Sequence, residues 1–238
     1  MTMRLPLALL AFLLPLSAGA ATYYVTQAGA GAKDGTSLAD AWAQDGISYG
    51  GVNAAGRGDI LYLCGTPDAP ITAAVTPSGI GAFDGTVDAL SDVLWLSGDA
   101  EQCGGTQGVL DVASGHAITI GQAGIYMTDM TCRGSGTSQN CFNQLMGSTA
   151  GCVAADGYYC GLQERLTCSG PGVHCASIAA AGNTNFPASQ VSGLLQRDIT
   201  SSGRDGAACR IAINGLGPRQ ERCNSEGDAQ DADTWSVY

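Results

Sequence analysis

Lysine is almost missing from this chain: Lys33 is the sole example in 238 residues. Lysine and arginine together number 10 against 21 aspartates and glutamates, a formal net charge of −11. No basic stripe offsets this, so the chain repels nucleic acid and anionic membrane surfaces. Histidine is scarce too. His116 and His174 have no ligand-like spacing and no CxxC pair occurs, which argues against a zinc site. Without a neighbouring nucleophile both histidines read as structural. Aromatic residues are only 6% of the chain, few platforms for stacking sugars. No P-loop, GxGxxG or N-x-S/T sequon is present. Gly46-Ile47-Ser48-Tyr49-Gly50 matches G-x-S-x-G, but a nucleophile elbow needs a strand before it and a helix after it. Here a helix candidate comes first.

Long apolar runs are absent except at the start. Arg4 supplies a positive n-region, residues 5–16 (LPLALLAFLLPL) an apolar h-region, and Ala18-Gly19-Ala20 a cleavage site. Residues 1–20 therefore read as a signal peptide, and the mature chain as secreted, periplasmic or extracellular. No second run is long enough to span a membrane. The remainder, 21–238, shows no composition break and reads as one domain.

Glycine and cysteine are abundant, at 35 and 10 residues. Glycine with many Ala, Ser and Thr signals frequent tight turns. Disorder is excluded, since 45% of the residues are hydrophobic and recur regularly. Ten cysteines fit an oxidising compartment.

Four segments align without a gap: IYMTDMTCRGSG from Ile125, GLQERLTCSGPG from Gly161, LLQRDITSSGRD from Leu194 and PRQERCNSEGDA from Pro218. Column six is apolar (Met130, Leu166, Ile199, Cys223) and column ten is always glycine (Gly134, Gly170, Gly203, Gly227). The offsets are 36, 33 and 24 residues. One structural unit repeated along an axis explains this pattern. Stacked at the strand spacing of about 4.8 Å, column six lies inside, with column eight (Cys132, Cys168, Ser201, Ser225) on the same face. Column seven (Thr131, Thr167, Thr200, Asn224) faces out. The column-ten glycine ends the strand at a turn that a Cβ would block.

Earlier in the chain, residues 23–25, 58–64, 92–97, 109–112 and 117–120 read as short strands. Ile60 to Val93 is 33 residues, close to the later period. Residues 38–45 (LADAWAQD) are the best helix candidate, with Ser37 as its cap. Short strands and glycine turns without long amphipathic helices exclude βαβ units. The fold class expected is all-β: a right-handed parallel β-helix, or solenoid, behind a short N-terminal cap containing a small helix.

A second cysteine ladder, Cys141, Cys175 and Cys209, is spaced 34 and 34. Two pairing schemes fit. One closes turns within a repeat (Cys132–Cys141, Cys168–Cys175, with Cys152–Cys160, then Cys64–Cys103 and Cys209–Cys223). The other links neighbouring repeats vertically, and a third state keeps several thiols free and buried. Pairing within a repeat is preferred.

The Tyr-Tyr-Val start, the DGTS turn, the expected Ala41-Trp42 helix and GDILYLCGT resemble the N-terminal cap and first coil of secreted right-handed parallel β-helix proteins. That superfamily includes pectate lyases and other polysaccharide lyases and hydrolases. The later T-[CS]-x-G repeats look like its coils. The resemblance implies extracellular polysaccharide as ligand or substrate, and Ca²⁺ if the activity is a lyase. Family members are commonly longer. The chain ends with Trp235, Val237 and Tyr238 opening what reads as another strand, so remaining coils or a capping partner are expected there. A fragment without activity of its own is the related alternative.

Columns four and five carry the candidate chemistry: Thr128-Asp129, Glu164-Arg165, Arg197-Asp198 and Glu221-Arg222. Asp129 and Asp198 would be metal or substrate carboxylates, and Arg165 a base or substrate clamp. The competing reading is an exposed salt-bridge ladder that fixes the register between repeats. A non-catalytic surface or adhesive protein is the functional alternative. The acidic residues Glu226, Asp228, Asp231 and Asp233 lack the spacing of a Ca²⁺ loop and read as a solvated tail.

Overall fold

The computed structural model describes residues 20–50, 54–134, 140–146, 152–170, 174–180, 192–203, 208–212 and 218–226, and the side chains of all of these except Ala180 and Glu226. Residues 1–19 of the expected signal peptide, Gly227 and the acidic and aromatic residues after it lie outside the described residues.

The fold is β with almost no helix, and its named strand pairs are parallel. The strands are β1 (Thr22–Thr26), β2 (Trp42–Ala43), β3 (Ile60–Leu63), β4 (Thr86–Val87), β5 (Leu94–Ser97), β6 (Gly108–Asp111), β7 (Ile118–Ile120) and β8 (Ile125–Thr128). They continue as β9 (Met130–Gly134), β10 (Phe142–Met146), β11 (Val153–Ala154), β12 (Gly161–Cys168), β13 (Ala176–Ala180), β14 (Leu194–Ser202), β15 (Cys209–Ala212) and β16 (Arg219–Glu226). One long sheet runs β16-β14-β12-β8-β5-β3-β1-β2, with β9 joining β12 to β6. A second sheet runs β15-β13-β10-β7, and β11 pairs with β4.

Register follows the aligned columns. Gly161 pairs with Ile125 and Leu194, Leu166 with Ile199, and Ile199 with Cys223. Column six is buried throughout, as are Cys132, Cys168 and Ser201 of column eight, while the column-seven residues are exposed or half-buried. β1 alternates buried Tyr23 and Val25 with half-buried neighbours, the pattern of a strand with one face on a core. Val25, Leu61, Leu63, Leu94, Leu96, Met127 and Phe142 fill that core together with column six.

Several details differ from the sequence expectation. The helix expected over 38–45 is a single 3-10 turn, Leu38–Asp40. Ser37 does cap it, its side chain accepting from the Asp40 N–H at 3.1 Å. Trp42–Ala43 then forms β2, because Trp42 stacks on Tyr23 at 4.7 Å and that burial outweighs two more residues of helix. Ile60 pairs with Trp95, an offset of 35 rather than 33. Cys209 pairs with Ala176, so it sits one position off the Cys141–Cys175 ladder. Gly170 and Gly203 have φ of 76° and 69°, and a Cβ on Gly170 would lie 2.4 Å from the Arg133 carbonyl oxygen. Gly134 instead stays inside β9 without a positive φ.

All ten cysteines pair, as Cys64–Cys103, Cys132–Cys141, Cys152–Cys160, Cys168–Cys175 and Cys209–Cys223. This is the within-repeat scheme, and no thiol remains free.

Column three holds a feature of its own. Met127, Gln163, Gln196 and Gln220 face the interior on successive strands, and Gln163 and Gln196 are fully buried. The Gln196 amide donates to the Gln163 carbonyl oxygen at 2.7 Å, and the Gln220 amide to Gln196 at 2.7 Å. Gln163 donates onward to the Ser177 carbonyl at 3.2 Å. A buried amide is costly unless paired, and stacking identical amides pairs each with the next. Gln220 Oε1, at the last rung, has no partner among the described residues. Gln196→Leu should therefore cost about 2–3 kcal/mol in urea unfolding, since it orphans buried groups on both neighbours. Gln220→Leu should cost clearly less, because it also removes an unpaired acceptor.

Candidate functional site

The residues of column five share an unusual backbone. Asp129, Arg165, Asp198 and Arg222 have φ of 59°, 51°, 55° and 51°, the left-handed region that side chains with a Cβ avoid. One such residue inside a strand resets its alternation. Gln163 and Leu166, three apart, both turn inward, and Glu164 and Arg165 lie between them at the bend. Repeated within β12, β14 and β16 and at the junction of β8 and β9, the bend makes an outward ridge of charged side chains.

The ridge is paired. Arg165 grips Asp129 bidentately, Nε to Oδ1 at 2.5 Å and Nη2 to Oδ2 at 2.7 Å. Arg222 grips Asp198 in the same fork, Nη2 to Oδ2 at 2.7 Å. Glu164, only 10% exposed, bridges Arg165 (2.8 Å) and Arg197, whose Nε donates at 2.7 Å. Asp129 and Arg165 thus join Glu164 and Arg197 in one network, while Asp198 turns to Arg222. The three residues expected to carry chemistry sit on one ridge, but Asp198 does not complete a triad with the other two.

These pairs set the protonation. The hydrogen bonds that Arg165 donates to Asp129 hold its guanidinium pKa above its ordinary value, with partial burial opposing. Hydrogen bonds from Arg222 hold the Asp198 carboxyl below 3.8, with the charges of Arg222, Arg197 and Arg165 adding. Arg165 is fixed as a cation, which suits a clamp and not a base. Among the described residues no group of three His, Cys, Asp or Glu side chains could hold a metal ion. Asp129 and Asp198 spend their oxygens on arginine, so they do not fit a Ca²⁺ site, which needs six to eight oxygens.

Beside the ridge the strand register defines a row, Tyr24, Tyr62, Ser97, Thr128, Glu164, Arg197 and Glu221, in which Tyr24, Tyr62, Arg197 and Glu221 are half-buried and Ser97, Thr128 and Glu164 are buried. At about 4.8 Å per strand it spans about 29 Å. Tyr24 and Tyr62 stack at 5.3 Å, and the Tyr24 hydroxyl donates to Gln102 at 3.3 Å. Trp95, two residues before Ser97, donates its indole N–H to Thr128 Oγ1 at 2.8 Å and meets Tyr126 edge-on at 6.0 Å. Burial raises the Tyr62 phenol pKa, and Tyr24, Asp99, Asp129 and Glu101 add to it by charge. Aromatic rings and the ion-pair ridge therefore share one face. Sequence reasoning missed the rings because Tyr24, Tyr62 and Trp95 precede the aligned repeats and follow different offsets.

The remaining candidates are structural. His116 Nδ1 accepts from the Asn140 N–H at 2.9 Å. Tyr49 of the G-x-S-x-G segment makes an isolated bridge to Ala55, and among the described residues between β2 and β3 there is no helix. Among the described residues no helix is long and apolar enough to cross a membrane.

No protein-family model, curated protein or solved structure matches this chain.

Because the Asp198 carboxyl is held down in the folded state, its contribution is present above its ordinary pKa of 3.8 and is lost as pH falls through the lower native value. Wild type should exceed Asp198→Asn in urea midpoint by a small margin at about pH 6, a margin that closes on acidification below 3.8.

Proposed function

We propose that this is a secreted right-handed parallel β-helix protein, similar to the pectate-lyase-like superfamily, that binds extracellular polysaccharide along the outer face of its long sheet. Strand offsets of 24 to 36 residues between parallel partners support the winding, since each interval leaves one circuit of chain between neighbours. Five disulfides fit an exported, oxidising setting. The open Gln220 acceptor on β16 is where a further coil or a capping partner would pair.

The observation that carries the reading is the row from Tyr24 to Glu221. Its partly exposed members are the Tyr24–Tyr62 rings at one end and Arg197 and Glu221 at the other, with buried Ser97, Thr128 and Glu164 between them, and the two ends lie about 29 Å apart, the length of an oligosaccharide rather than one sugar. Its carboxylates and guanidiniums are already oriented by their pairs, so binding costs little side-chain entropy. In this reading Arg165 and Arg197 clamp hydroxyl or anionic groups, and Asp129 and Glu164 hold them in place. A ligand-binding role is favoured over lyase cleavage because Arg165 is locked as a cation and so does not serve as the base.

Glycan-array or calorimetric binding with the full chain tests this. Polysaccharide binding that weakens about tenfold in Trp95→Ala and in Arg197→Ala, without chain cleavage, is the expected result. Release of unsaturated oligosaccharides, abolished by Arg165→Ala, would replace binding with lyase activity. Absence of binding to neutral, acidic and basic glycans alike would overturn the reading.

A further inference from the structure

Residues 1–20 read as a signal peptide, and the first residue after the expected cleavage site is already part of the fold. Ala20 is exposed, whereas Ala21 is half-buried and packs on the main core, and β1 starts at Thr22. The register that pairs Thr22 with Ile60 places Ala21 beside Asp59. The Ala21 carbonyl accepts from the Ile60 N–H at 2.9 Å, and the Ala21 nitrogen donates to Asp59 Oδ1 at 2.8 Å. The other carboxylate oxygen, Oδ2, accepts from the Gly56 N–H at 2.8 Å. Asp59 is half-buried, and its own loop aims it at one atom, the nitrogen of Ala21. Among the described residues no arginine, lysine or histidine forms an ion pair with it. Arg57, two residues away, is committed to the carbonyls of Asp92 and Ala123 and to the Gln122 side chain. A partly buried carboxylate with neutral donors alone is an incompletely compensated charge.

We propose that the Ala20–Ala21 bond is a maturation site whose product Asp59 is built to receive: cleavage turns the Ala21 nitrogen into an α-ammonium, and Asp59 holds it as a salt bridge that locks β1 onto β3. The cleavage is a hydrolysis by a signal peptidase of the export machinery. The C–N bond breaks, the water oxygen stays on Ala20, which leaves as a carboxylate, and both water protons pass to the nitrogen. The neutral amide donor of Ala21 thereby becomes a cation facing an anion at hydrogen-bond distance, and such a contact is shorter-ranged in water but stronger than the amide bond it replaces. Exposure of Ala20 leaves room on that side for the further N–H groups of the ammonium to meet water. The end of the sheet that carries Tyr24 and the Tyr23–Trp42 stack is therefore fastened fully only after export, and the precursor is less stable than its product. Asp59 has this role whatever the outer face binds.

Two forms of the otherwise unaltered chain test this, one beginning at Ala21 and one that keeps Ala18-Gly19-Ala20 in front of it. Protein exported from the full chain should give Ala-Thr-Tyr-Tyr-Val on N-terminal sequencing. At about pH 6, where an α-amine is protonated, the form beginning at Ala21 should melt about 2–4 °C above the extended form. Asp59→Asn, which keeps an acceptor for the Gly56 N–H, should abolish that difference by lowering the Ala21 form alone. A different first residue in the exported protein would overturn the maturation site. Equal melting of the two unsubstituted forms would overturn the lock, and that comparison decides even if Asp59→Asn does not fold. An equal loss in both forms on Asp59→Asn would overturn it as well, leaving Asp59 only its bond to the Gly56 turn.

Discussion

Parallel pairing in constant register is the constraint from which the rest follows. It converts intervals of 36, 33 and 24 residues in the sequence into adjacency between strands. Each inward position is then judged against its own counterpart on the next strand. Leu166 and Ile199 stack because both are apolar. Gln163, Gln196 and Gln220 tolerate burial because each amide finds the next. A slip of one residue would break this chain and turn column six outward.

The bend at column five is the second organising element. Placing a non-glycine residue in the left-handed region costs about 1–2 kcal/mol. Glycine would lower that cost but would supply no side chain at the ridge. Asp and Arg accept it, and alternating charge between neighbours lets each bidentate fork offset part of it. The same forks hold the functional groups of the outer face in fixed geometry. The aromatic end of the face is independent of the bends, since Tyr24, Tyr62 and Trp95 are positioned by β1, β3 and β5 and by the turn that the Cys64–Cys103 disulfide holds.

The repeats were legible because they keep the same column spacing from strand to strand, so columns six, seven and eight could be assigned faces before any coordinates. The disulfide pairs were legible only as the preferred one of two schemes: four of them join cysteines 7 to 14 residues apart, while Cys64–Cys103 spans 39 residues, and column spacing alone left vertical pairing open. Other features were not. LADAWAQD has helical spacing, yet Trp42 is claimed by the ring of Tyr23, a contact that local propensity does not register. The left-handed conformation of Asp129, Arg165, Asp198 and Arg222 is invisible in residues that carry no glycine or asparagine signal. The glutamine column stood in plain view in the aligned segments, but an amide there reads as polar surface until the bend is known to turn it inward. For the site, the charged ridge could be read from columns four and five. Its aromatic extension could not, because β1, β3 and β5 pair at offsets of 38 and 35 with no shared motif.

The central claim is that column residues on successive repeats are neighbours across parallel strands. Spin labels introduced at Thr167 and Thr200, which face outward and pair in register, test it directly. Their backbones should lie about 5 Å apart, so the doubly labelled protein should show strong dipolar broadening compared with either single label. Spectra that simply sum the two singly labelled proteins would contradict the account.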